Sequence, residues 1–185
     1  MPSSDPTRQA PAVAAFPAVL VSGGQTGADR AALDFAIARG IEHSGFCPRG
    51  RKAEDRQIPE GYQLAETKSA DYPERTRRNV ELGDATAIFV RVPAEELLRQ
   101  RRGGSALTAR EAALAGRPFV VLANFPNIHA DAQELRAFLE KATPRVLNVA
   151  SSRESSQPSI GAHVAQVLAG DRRPDGAAPR GFDLN

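Results

Sequence analysis

At 185 residues, 41% of them hydrophobic and 25% charged, the chain is long enough for one domain with a substantial core. A formal net charge of +2 is too small to argue for a nucleic-acid partner, and no run approaches the roughly 20 apolar residues of a membrane helix. One cysteine, Cys47, excludes an internal disulfide, and prolines break up the N-terminus where a signal peptide would need an apolar helix, so a cytoplasmic protein is expected.

In chain order, residues 1–16 are rich in Pro, Ala, Ser and Thr and are expected to form a disordered lead. Ala18–Val21 reads as a buried strand. Ala28–Arg39 follows with Ala32, Leu33, Ala36 and Ile37 on one helical face, and Gly40 is a natural stop. Ile41–Phe46 reads as a weak strand and Ala85–Val90 as a strong one, followed by a short helix near Pro93–Arg99. A helix at about Leu107–Ala115 leads into the strand Pro118–Ala123. Ala130–Ala142 is a helix, Arg145–Val149 a strand and Ile160–Leu168 a closing helix. The tail, residues 171–185, matches the lead in character. Residues 17–170 are therefore expected to be a single domain.

Strands that are short and uniformly apolar, alternating with helices, imply a mainly parallel sheet covered on both faces. The expected fold class is α/β, a doubly wound Rossmann-like αβα sandwich of three layers. Such folds bind ligands beyond the carboxyl ends of their strands.

The first such end is Ser22-Gly23-Gly24-Gln25-Thr26-Gly27. A turn this rich in glycine can aim successive backbone N–H groups at an anion, and the next helix adds its positive end. Ser22 and Thr26 offer hydroxyls. The P-loop pattern fails, because Ala28-Asp29 stands where Lys-Ser/Thr belongs. The dinucleotide fingerprint fits only with Ser22 in place of its first glycine and Glu42 as the ribose-binding acid. A tight structural turn is the plain alternative. Asp29 is expected to act as a helix cap, while Arg30, placed against the dipole, is the better candidate to face an anion.

After the second strand, Arg49, Arg51 and Lys52 cluster ahead of Glu54 and Asp55. This is either a basic loop able to close on phosphate, with a carboxylate as general acid or base, or a solvated charged loop. His43 and Cys47 are too few to hold a metal, so no protein-ligated metal is expected. Tyr72, Arg75, Thr76 and Asn79 lie at i, i+3, i+4 and i+7, a polar face that either is solvated or lines a ligand. Arg102-Gly103-Gly104-Ser105, with Thr108, repeats the logic of the first turn. Two such turns in one parallel sheet are suited to gripping two ends of one phosphorylated molecule. Lysine occurs only at Lys52, Lys68 and Lys141, so the cations are nearly all arginine. That suits bidentate phosphate binding, and a GC-rich genome gives the same bias.

Taken together, SGGQTGADRAALDFAI, GFCPRGRKAEDRQIP, the pattern Y.L.ET.S..Y..RT..NV and GGSALT resemble the molybdenum-cofactor carrier family. That family stands in the Rossmann-like group that includes the lysine-decarboxylase-like LOG proteins. The resemblance runs from about Val19 to Leu168. It implies that molybdenum cofactor (molybdopterin) or molybdate is the bound ligand. By motif it carries over Gly23, Gly24, Gln25, Thr26, Gly27, Arg49 and Arg51 as ligand-facing, with Thr76, Asn79, Gly103, Gly104, Ser105 and Thr108. The LOG enzymes hydrolyse nucleoside monophosphates with P-G-G-x-G-T-x-x-E. Here Arg110 occupies the glutamate position and Glu111 falls one residue late, about 100° round a helix.

The expected function is a binding or carrier protein for a phosphorylated heterocycle. The alternative is a nucleotide-binding or nucleotide-hydrolysing enzyme with Glu54, Asp55 or Glu111 as acid or base. A nucleic-acid module is disfavoured by 5% aromatic content and nearly balanced charge. The expected partner is therefore a phosphorylated small molecule, with no nucleic acid or membrane, and the fold group suggests a homo-oligomer.

Overall fold

Residues 16–170 are described by a computed structural model; residues 1–15 of the expected lead and the tail 171–185 lie outside the described residues. Phe16, assigned to the lead, packs its ring 5.5 Å from that of Phe35 and joins the core.

The strand β1 (Val19–Val21) is wholly apolar and buried. The helix α1 (Ala28–Arg39) follows, and the N–H of Gly40 closes it onto the carbonyls of Ala36 and Ile37. β2 (Glu42–Ser44) pairs with β1. A small lobe comes next, made of β3 (Phe46–Cys47), a 3-10 turn at Arg49–Arg51, β4 (Lys52–Ala53), β5 (Arg56–Gln57) and β6 (Ala65–Glu66). α2 (Tyr72–Leu82), β7 (Ala85–Phe89), α3 (Ala94–Arg99), α4 (Gly104–Leu114) and β8 (Phe119–Leu122) lead to α5 (Ile128–Ala142), β9 (Val146–Ser151) and α6 (Ile160–Ala169).

The central sheet is parallel throughout, in the order β2-β1-β9-β7-β8. Numbered by appearance in the chain, its strands run 2-1-5-3-4. Started instead at β9, the same order becomes 3-2-1-4-5, that of a doubly wound nucleotide-binding half. Side chains on β7 alternate between the two faces. Ala85, Ala87 and Phe89 pack with α1, α5 and α6, while Ile88, with Val90 just beyond the strand, packs with α3 and α4. Leu20, Phe89 and Leu147 are fully buried, each worth roughly 1.5–3 kcal/mol relative to exposure.

Four sequence expectations need correction. Ile37 is 50% exposed, because the buried stripe of α1 is Ala28, Ala32, Leu33 and Ala36, whose small side chains admit α6. Ile41–Phe46 is not one strand: Gly45 breaks it into β2 and β3. α4 starts at Gly104, three residues before the expected Leu107, and α5 starts at Ile128, capped by the side chain of Asn127.

Candidate functional site

β9 leads to α6 on one face of the sheet and β7 leads to α3 and α4 on the other, so the topological switch falls between these two strands. Beside it opens a cleft of about 530 Å³, within the size range of small-molecule sites. α2 contributes Tyr72, Arg75 and Arg77. The turn before α4 contributes Arg102 and Gly103, and α4 itself contributes Gly104 at its start and Arg110 farther along. The end of β9 brings Ser151, and the segment after it brings Ser152 and Arg153. At its inner end lies a niche of about 20 Å³ lined by Gly23, Thr76, Asn79 and Thr108 among others, room for one water-sized group.

The floor is a buried ion pair. Arg75 Nη1 stands 2.9 Å from Asp29 Oδ2, with Asp29 3% exposed. Gly23 makes this possible, since a Cβ there would lie 1.8 Å from Arg75 Nη1. Asp29 is thus more than the expected helix cap. Burial pushes its carboxyl above the usual carboxylate range, against the opposing pull of Arg75 and the Gln25 N–H. Two polar atoms on residues lining the cleft, Arg75 Nε and Ser151 Oγ, are buried without a hydrogen-bond partner among the described residues.

Of the first glycine turn only Gly23 reaches the cleft. Ser22 Oγ donates to the Val149 carbonyl at 2.7 Å. Gly24 lies beneath Ile58 and Leu64 of the lobe, and Gly27 lies against the Glu154 backbone. Gln25 Nε2 donates to the Lys52 carbonyl, and Thr26 donates to Glu54. The turn is roofed by the lobe instead of lying open to an anion. Arg30, expected to face an anion, makes a two-pronged pair with Asp55 and donates to the Gly24 carbonyl.

The second turn does open on the cleft through Gly103 and Gly104. Behind it, Ser105 Oγ meets Ser152 Oγ at 3.2 Å and Thr108 Oγ1 donates to the Gly104 carbonyl. The polar face of α2 divides between two tasks. Tyr72, Arg75 and Thr76 line the cleft, whereas Asn79, though in the niche wall, exchanges two hydrogen bonds with the Phe46 backbone and anchors the lobe.

Arg49 and Arg51 do not line the cleft. Arg51 donates to the carbonyls of Ile58, Pro59, Tyr62 and Leu64, holding the lobe together, and Arg49 is exposed. Tyr62 donates to Asp34 at 2.7 Å; burial first, then that carboxylate, pushes its hydroxyl up to about 12. Cys47 is buried in the lobe and its thiol is pushed up by burial, the reverse of an activated nucleophile. Among the described residues no group of three or more His, Cys, Asp or Glu is placed to hold a metal.

The candidate acids are all engaged. Glu54 accepts from Thr26 and Ser155, Asp55 from Arg30, and Glu111 pairs with Arg77 at 3.2 Å. Partial desolvation raises Glu54, but its hydrogen bonds from Ser155 and Thr26 prevail and hold it below the ordinary 4.5; Asp55 is held below 3.8 chiefly by Arg30. A lowered folded value means a contribution complete above the ordinary value and lost as pH falls through the folded one. Amide exchange at Ile58 and Leu64 is therefore expected to accelerate below about pH 4 before that of α5 does. Simultaneous opening of lobe and α5 would show that these carboxylates do not clamp the lobe.

Sequence reasoning missed Ser151 and Arg153. The stretch Ser151-Ser152-Arg153-Glu154-Ser155-Ser156 has no distinguishing pattern, and its position beyond a strand end was the available signal.

The sequence model of the circularly permutated YpsA SLOG family matches residues 20–170. The chain belongs to that family. The permutation is legible in this SLOG sheet, whose order becomes the standard one when β9 is taken first. A crystal structure at 1.45 Å resolution from Syntrophus aciditrophicus SB, named "Putative molybdenum carrier protein", is similar at 36% identity with a TM-score of 0.76. The match covers 83% of this SLOG chain and 93% of that one. A search of curated proteins gives no match. No helix among the described residues is long and apolar enough to cross a membrane.

Proposed function

We propose that this protein binds and carries a small phosphorylated heterocycle in the arginine-lined cleft, with molybdenum cofactor or molybdate as the first candidate cargo. The observation that carries the reading is the pair of buried, unpartnered groups, Arg75 Nε and Ser151 Oγ, on a cleft rimmed by guanidinium groups. Buried polar groups are nearly always hydrogen-bonded, so these are groups for a ligand oxygen or a water to complete. Guanidinium, hydroxyl and helix N–H donors suit an oxyanion, phosphate or molybdate, and not a bare cation. The name of the similar crystal structure supports molybdenum as the cargo.

Binding is favoured over hydrolysis by the cleft lining, which includes no carboxylate among the described residues. Cytoplasmic location and self-association belong to the same proposal; the exposed Leu98 and Leu114 on α3 and α4 offer a surface for the latter.

Native mass spectrometry of gently purified protein, with molybdenum analysis of the released ligand, tests the reading. A phosphorylated heterocycle is expected, and Ser151→Ala is expected to weaken its binding about tenfold. Protein that neither carries nor rebinds such a molecule, or an unchanged Ser151→Ala variant, would overturn it.

A further inference from the structure

We infer that the mouth of this cleft selects a diphosphate ester over a monophosphate, and that Arg102, Arg110 and Arg153 determine that choice. The inference rests on the reading of the cleft as a binding site.

Five arginines line the cleft, but they are not equivalent. Arg75 is neutralised by Asp29 at 2.9 Å and Arg77 by Glu111 at 3.2 Å. Arg102, Arg110 and Arg153 have no ion-pair partner among the described residues. Arg110 donates only to the Arg101 carbonyl, and Arg153 rests 4.9 Å from the centroid of the Tyr72 ring. Glu54 is near enough to feel Arg153, the weakest of the influences on its carboxyl, while its hydrogen bonds come from Thr26 and Ser155. The inner end is thus balanced in charge, while the mouth carries Arg102 and Arg110 without a counter-charge and Arg153 only partly offset by Glu54.

Size separates the two ends in the same way. The niche of about 20 Å³ accepts one oxygen-sized group, so any phosphoryl group must sit in the wide part. There α4, 11 residues long and without a side-chain cap, presents its first N–H groups through Gly103 and Gly104 beside Arg102 and Arg110. A phosphate monoester carries about −1.5 to −2 at neutral pH, short of the charge of three guanidinium groups of which only one is partly offset. A second phosphoryl group closes the difference, and its additional oxygens match the planar donor forks of the arginines.

The test is calorimetric binding of inorganic pyrophosphate and inorganic phosphate to the full chain at equal ionic strength. Pyrophosphate is expected to bind about tenfold more tightly or better. Arg153→Ala is expected to remove about tenfold from the pyrophosphate affinity and less from that of phosphate, with Arg153→Lys between. Arg153 is exposed, so the variants should melt as the wild type does. Equal affinities, or a pyrophosphate affinity that Arg153→Ala leaves unchanged, would overturn the inference. A co-purifying heterocyclic monophosphate without pyrophosphate preference would sink this inference and leave the carrier reading standing. Pyrophosphate selectivity in protein that carries no heterocycle would do the reverse.

Discussion

Replacing Arg75 with methionine is expected to cost about 3–5 kcal/mol of stability at neutral pH, the usual consequence of removing one partner from a buried ion pair. The pair lies at the N-terminus of α1, with Arg75 reaching from α2 across Gly23 to Asp29. Without the guanidinium, the buried Asp29 keeps the Gln25 N–H at 3.2 Å to oppose its desolvation. Its carboxyl, already above the ordinary 3.8 through burial, moves further up. A raised folded value means a contribution intact below the unfolded value and lost as pH rises through the folded one. The deficit of Arg75→Met should therefore widen as pH rises above about 4, as read by urea denaturation. Adding Asp29→Asn should recover much of the loss, since a neutral pair needs no counter-charge. Ligand binding should stay lost in the double variant, because the unpartnered Nε is gone. A deficit that does not vary with pH, or a double variant no better than the single, would show that the pair is not what holds this corner.

That pairing marks the limit of what the residues alone disclosed. The strands were legible because runs such as Ala-Ile-Phe-Val, buried on both faces, have no polar alternation to confuse the reading. The ends of α1 were legible because a glycine turn and Gly40 bracket it. The glycine turns and the polar face of α2 were likewise visible as unusual. Their allocation was not. Asp29 and Arg75 meet across 46 positions, and nothing local in either segment announces the partner. Gly24 to Gly27 have the composition of an open anion nest, yet the lobe packs Ile58 and Leu64 over Gly24, while Glu154 and Ile160 close on Gly27. Arg51 has the composition of a phosphate clamp, yet four carbonyls of its own lobe take its donors. In each case a local pattern offered donors and the tertiary fold decided what received them. Arg153 shows the converse, since an ordinary polar stretch becomes part of the site through the position of β9 at the middle of the sheet.

Gly45→Ala is expected to be the most damaging glycine-to-alanine change among the described residues, with a loss of about 3 kcal/mol or more. Gly45 separates β2 from β3 at φ 144°, a conformation other residues rarely adopt. A Cβ there would stand 2.1 Å from the Ser22 carbonyl oxygen and 3.1 Å from the Ser22 backbone carbon and nitrogen. These are main-chain atoms at the end of β1, tied to β2 by the bond from Ser22 N–H to the Ser44 carbonyl, so no rotamer change relieves the overlap. Gly45 also accepts the Ala65 N–H through its own carbonyl, so displacing it pulls on the lobe. Two structures move together: the floor at Gly23 that seats Arg75, and the lobe that roofs the first turn. Gly50→Ala is the matched control, with φ 73° but no atom within 4 Å of the new methyl. It should lose only about 1 kcal/mol, the backbone term alone. Thermal melts of the two variants separate steric approach from conformational freedom. If Gly45→Ala melts no lower than Gly50→Ala, the contact between this corner and the end of β1 is looser than 2.1 Å implies, and the argument that the lobe and the cleft floor move as one fails with it.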